Sequence, residues 1–172
     1  GQQALDASYA SFHMRKEGAD AAFAGEWDGV DIAPGLTPGR TIPAFAISYD
    51  MLVNDGVRLI AEKARSARGQ SGQLRQFSLI FAKGGTIKAA GPVSVNGEGL
   101  VSADIRLTFT QPDELAVALS TAIPEAAMAI GPALKAAGMA AGADKEASLT
   151  LTVRNGKISA GLFPIGNIPP VQ

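Results

Sequence analysis

One histidine, no cysteine, and 16 carboxylates against 15 lysines and arginines are the groups with which this chain could do chemistry. Without a thiol there is no thiolate nucleophile, no disulfide, no iron–sulfur cluster and no Cys-ligated zinc site. His13 alone cannot supply the His pair or triad that many metal sites use. As a general base it would need a serine and an orienting acid within reach, and no Gly-x-Ser-x-Gly turn accompanies any serine. Glu26 and Asp28 flank Trp27, and i, i+2 spacing on a strand puts two carboxylates on one face, the arrangement a glycosidase could use. Carboxylates on a strand face more often simply keep it wet. Asp28 and Asp31 lack the ligand spacing of an EF-hand loop. Lys83-Gly84-Gly85-Thr86 lacks the upstream spacing and the following helix of a phosphate-binding P-loop, and its glycines fit a turn. Lys63, Arg65, Arg68 and Arg75 follow one another with no acid between them, which fits a solvated helix end or a contact with lipid phosphates. The net charge of −1 shows no electrostatic footprint of a nucleic-acid binder. The expectation is a protein that is not an enzyme, uses no cofactor or metal, and does not bind nucleic acid.

The elements that would position any site can be followed along the chain. At 172 residues the chain has the length of one domain, 1–172. Residues 3–15 and 21–32 alternate as an N-terminal β-hairpin (3–32), with Phe12 and Met14 on one face of its first strand and Phe23, Gly25 and Trp27 on one face of its second. After Trp27 the apolar parity slips to Val30 and Ile32, which predicts a β-bulge at Asp28-Gly29. Pro34, Gly35, Pro38, Gly39 and Pro43 mark a connection. Tyr49, Leu52, Val53, Gly56, Val57, Ile60, Ala61 and Ala64 fall on one stripe of a 3.6-residue period, predicting an amphipathic helix over 48–67 with Ser48 as N-cap and Ile47 as a staple onto Leu52. Small residues such as Gly56 would let that helix lie close to a sheet.

Strands are expected over 74–110. Phe77, Leu79 and Phe81 share a face, Lys83-Gly84-Gly85 turns into Thr86–Ala90, and Val93 and Val95 form a short strand. Val101, Ala103, Ile105, Leu107 and Phe109 then alternate with polar residues, the mark of an antiparallel strand with one wet face. Ala-rich helices are expected over 112–138, the first from Pro112 to about Ala122 with Thr110 and Asp113 as a capping pair. Pro124, Glu125 and Lys135 interrupt the apolar stretch from Leu115 to Ala143, so it is not a membrane span. The chain closes in a β-hairpin over 148–163. Asn155-Gly156 predicts a type I′ turn, which sets Val153 opposite Ile158, Leu151 opposite Ala160 and Leu149 opposite Leu162 on one apolar face. Beyond it, the tail from Pro164 is expected to be extended.

The expected fold is α+β: a curved, mainly antiparallel sheet of about six to seven strands with about three helices packed on one face. Three modest helices would not cover so wide an apolar face, and an open apolar surface is costly unless it binds something. The residues expected to line such a ligand site are Val101, Ile105, Leu107, Phe109, Leu149, Leu151 and Val153. The occupant is either a lipid or other amphiphile, or another protein.

The closing string SLTLTVRNGKISAGLFPIGNIPP, Ser148 to Pro170, resembles the end of an uncharacterised bacterial envelope family, domain of unknown function 2125. The matching positions are Asn155-Gly156, Gly161, Pro164, Gly166 and Pro169-Pro170. The upstream stretch GPVSVNGEGLVSADIRLTFTQPDEL is similar to that family's Gly-rich strand before a helix. The resemblance covers most of residues 45–171 and is weak over 1–44. The family is similar in pattern to AsmA-like envelope proteins, membrane-anchored with a β-rich periplasmic body and linked to lipid or outer-membrane homeostasis. The resemblance implies a periplasmic location and a membrane anchor upstream of this chain. It brings no catalytic residues.

Overall fold

The computed structural model describes residues 5–33, 41–64, 66–122, 134, 138–139 and 146–171. The strands are β1 (Leu5–Asp6), β2 (Tyr9–Glu17), β3 (Asp20–Ile32), β4 (Phe45–Val53), β5 (Ser71–Phe81), β6 (Thr86–Val95), β7 (Val101–Thr110), β8 (Glu146–Arg154), β9 (Lys157–Ala160) and β10 (Phe163–Asn167). Two helices, α1 (Gly56–Ala61) and α2 (Pro112–Ala122), interrupt them. The strands form one open antiparallel sheet in which β3 to β10 pair in chain order, and β1 and β2 both lie along the free side of β3.

The antiparallel sheet with helices on one face agrees with the sequence. The count does not: the described residues contain ten strands, not six to seven, and two helices, not three. Four local differences change the strands. The first expected strand is split into β1 and β2, the segments 86–90 and 93–95 join as β6, the tail contributes β10, and Phe45–Val53 is a strand where the helix over 48–67 was expected. The second Ala-rich helix, over 124–138, lies largely outside the described residues, of which Leu134, Gly138 and Met139 are helical.

The misplaced helix has a clear physical cause. Tyr49 and Val53 fit a helical stripe, but Phe45, Ile47, Tyr49, Met51 and Val53 also fit period two. As a strand this segment pairs on both sides, Ile47 with Trp27 and Leu79, and Ser48 with Glu26 and Ser78. Two complete ladders outweigh the weak helical preference of a segment rich in β-branched and aromatic residues. The helix that remains is short and starts only after Asp55, which is left-handed at φ 55° and makes no side-chain cap. Gly56 still does what its size allows: it is buried, and a Cβ there would lie 2.7 Å from the Ala21 methyl.

Other local expectations hold. The register slips between Trp27 and Val30, and Gly29 takes φ 57°, so the bulge sits where the parity change put it. Asn155 (φ 49°) and Gly156 (φ 81°) are both left-handed, as a type I′ turn requires, and Val153 faces Ile158 while Leu151 faces Ala160. Leu149 does not face Leu162. The chain reverses at Gly161 (φ 57°), leaving Leu162 97% exposed, and β10 returns along β9 with Phe163 opposite Ala160. The tail then crosses two turns, Ile168 N–H donating to Gly156 O and Val171 N–H to Gly99 O. It is extended, as the sequence predicts, and it is also hydrogen-bonded, through β10 and these two turns.

Register makes the sheet two-faced. Tyr49, Phe77, Ala89, Leu107 and Leu149 lie side by side across β4 to β8, and the row Trp27, Ile47, Leu79, Ile87, Phe109 and Ala147 runs beside them. The opposite face carries residues such as Ser48, Asp50, Lys88, Arg106, Thr108 and Thr150. Both helices sit on the apolar face. Leu115, fully buried, and Ala118 of α2 pack with Phe81, Phe109, Leu134 and Ala147 to make the core. Among the described residues no helix is long and apolar enough to cross a membrane.

Candidate functional site

The helices cover the apolar face unevenly. α2 seals the end of the sheet at Phe81 and Phe109, while α1 approaches the other end at Ala21. Beside α1, where the chain loops from the helix into β5, the face opens into a cleft of about 450 Å³. Met51, Val53, Leu74, Val93 and Val95 supply its floor from β4, β5 and β6, and Leu59 of α1 supplies part of its wall. Alternation puts those five floor residues on one face of three adjacent strands, which is why so many apolar side chains converge. Gln70 and Ser71 bring polar groups to the rim. The volume lies within the range of small-molecule sites, and the apolar floor with a few polar groups at its rim has the composition of one. It offers burial to an alkyl chain, and no Asp, Glu, His, Lys or Arg is among its described lining residues.

The residues singled out from sequence fall on the same face, on β7 and β8, and the ladder brings them together: Ile105 opposite Leu151, Leu107 opposite Leu149. They are not equally open. Phe109 and Val153 are 8% and 6% exposed, and Leu107 packs against the core under α2. Val101, Ile105 and Leu151 are half-buried, and Leu149 is exposed. The cleft lies on the neighbouring strands β4 to β6, and part of its floor escapes the sequence reading because the helix expected over 48–67 contains Met51 and Val53. The period-two run Phe45–Val53 was the signal that could have placed them.

The chemical candidates are dispersed. His13 is exposed on β2 opposite Ala24. Glu26 is exposed, and Asp28 uses its backbone carbonyl to accept from Ser8 N–H and Oγ–H. Lys83 and Gly84 form the tight turn between β5 and β6. Among the described residues no group of three His, Asp or Glu side chains could hold a metal. Of the cationic run, Arg68 donates to Val171 O, and Arg75 reaches from β5 across β4 and β3 to make a bidentate pair with Glu17. The Arg75 guanidinium, helped by Arg15, holds the Glu17 carboxyl at about 2. On β7, Asp104 is likewise lowered by its bidentate pair with Arg154. These pairs lie on the polar face, opposite the cleft.

No curated protein matches the chain, and no solved structure matches it. The profile of one bacterial family does match, from residue 1 to residue 169, so the N-terminal strands, over which the resemblance is weak, fall inside it as well. An open antiparallel sheet ending in the Asn155-Gly156 hairpin and prolyl tail is thus the form taken by a chain that belongs to the family described as "Uncharacterized protein conserved in bacteria (DUF2125)".

Proposed function

We propose that this protein binds the alkyl part of a lipid or other amphiphile in the cleft between α1 and the sheet, without catalysing a reaction on it. The observation that carries the proposal is the cleft itself: about 450 Å³ over a floor of Met51, Val53, Leu74, Val93 and Val95. Filling it with a hydrocarbon chain would remove apolar surface from water at about 25 cal/mol per Å². The dispersed positions of His13, Glu26 and Asp28 support a role without catalysis. The resemblance to AsmA-like envelope proteins supports a periplasmic setting, with a membrane anchor upstream. The test is displacement of a fluorescent fatty-acid analogue. Wild-type protein should bind it saturably. Val93→Trp, which fills the floor, should abolish binding while the far-ultraviolet circular dichroism stays that of a β-sheet. Absence of saturable binding by the wild type would overturn the proposal.

One observation favours a second role, pairing with another envelope protein. β2 is an edge strand, and Phe12 and Met14 on its apolar side are 60% and 57% exposed. An apolar edge of this kind invites strand addition. Phe12→Ser with Met14→Ser should then remove a cross-linked partner in the native host and leave fatty-acid binding intact.

A further inference from the structure

The polar face carries a feature that the cleft does not use. Between β5, β6 and β7 lies a depression of about 230 Å³ lined by three basic residues, Arg75, Lys88 and Arg106, with Gln76 and Thr108 beside them. Arg75 is engaged by Glu17 and has Asp50 at 4.0 Å. Lys88 and Arg106 make no ion pair and donate no side-chain hydrogen bond among the described residues. Asp104, two residues before Arg106 on the same face, is held through both oxygens by Arg154. The register sets Lys88 opposite Thr108 and Ala90 opposite Arg106, so the two cations are diagonal neighbours on adjacent strands. Long side chains at diagonal positions are within reach of one another, and the chain as a whole has a net charge of only −1, so general basicity does not explain two such cations together.

An oxyanion resolves this arrangement. Lys88 offers an ammonium and Arg106 a guanidinium fork, the two cationic donors that complement phosphate oxygens, while Thr108 Oγ–H and the Gln76 amide add neutral donors. We propose that this depression binds a phosphate-class oxyanion through Lys88 and Arg106. The group could belong to a free phosphate or to a phosphodiester headgroup, and both present the same oxygens. The site lies on the face opposite the cleft and stands independently of amphiphile binding there.

The test titrates the intact chain with inorganic phosphate in a calorimeter, against sodium chloride at equal ionic strength, and floats it with vesicles of phosphatidylcholine with and without phosphatidylglycerol. Saturable binding of phosphate beyond the chloride control is expected. Lys88→Gln and Arg106→Gln should each weaken it about tenfold, the loss of one charge-assisted hydrogen bond. Lys88→Arg should retain it, and Lys157→Gln, on β9, should leave it unchanged. Both glutamine variants should melt close to wild type without phosphate, since neither side chain makes an ion pair or donates a hydrogen bond among the described residues. Flotation with phosphatidylglycerol that Arg106→Gln abolishes would assign the headgroup as the source; phosphate binding without flotation would assign the free anion. If neither probe is sensitive to Lys88→Gln and Arg106→Gln, the proposal is overturned.

Discussion

Replacing Leu115 with alanine removes three carbons from the one large side chain that is fully buried among the described residues. At about 0.8 kcal/mol per buried methylene, the transfer loss alone is about 2.4 kcal/mol. The surroundings cannot close over the gap. Phe81 and Phe109 are on strands with ladders on both sides, and the backbone at Gly85 is so close that a Cβ there would lie 2.8 Å from Leu115 Cα. A cavity penalty therefore adds to the transfer loss, for a total of about 3–4 kcal/mol. In a chain of this length that lowers the melting temperature by roughly 10 °C. Val117 is two residues along α2 and 69% exposed, so Val117→Ala is the control and should change stability by less than about 0.5 kcal/mol. Urea and thermal unfolding of both variants give the comparison. A cost below about 1 kcal/mol for Leu115→Ala, or an equal cost for Val117→Ala, would refute the seating of α2 on the apolar face.

Three further outcomes test the sheet and its helices. Leu151→Asp places a carboxylate on the apolar face opposite Ile105 and Ala160 and should cost about 2 kcal/mol or more, whereas Thr150→Asp, facing Arg106, should be nearly neutral; paired urea titrations decide it. Gly56→Ala would stabilise an isolated helix by about 1 kcal/mol. Here the new methyl meets Ala21 at 2.7 Å, so thermal melting should show destabilisation instead. Glu17 has its folded pKa depressed from 4.5 to about 2 by Arg75 and then Arg15, so its contribution to stability is present above the unfolded value and is lost as pH falls from about 4.5 to 2. Glu17→Gln should flatten the stability profile in that window and leave its shape near neutrality unchanged.

Where one periodicity fitted the sequence alone, the structure was legible. Val101–Phe109 alternates without ambiguity, the parity slip after Trp27 marks a bulge that Gly29 can adopt, and Asn155-Gly156 admits few turns other than the one it forms. Phe45–Val53 was not legible because its apolar residues satisfy a period of two as well as one of 3.6, and only its ladders with β3 and β5 decide between them. That ambiguity displaced the candidate site. With Met51 and Val53 assigned to a helix, the face of β7 and β8 looked like the open part of the sheet. Among the described residues, a cleft instead opens over β4 to β6. The reversal at Gly161 was hidden for another reason. A glycine in a run of alternating residues can continue a strand or end it, and the pairing of Phe163 with Ala160 is a choice between two local hairpins. The diagonal placement of Lys88 and Arg106 depends on cross-strand register, which neither segment specifies alone.

Native mass spectrometry of the protein purified from its own bacterial host, beside Val93→Trp prepared in the same way, addresses amphiphile binding most directly. Wild-type protein should carry a non-covalent adduct that fragments to an alkyl-bearing molecule, and Val93→Trp should fly at the bare mass of the chain. A wild-type spectrum with no adduct, or an adduct that survives unchanged on Val93→Trp, would contradict an amphiphile site in the cleft.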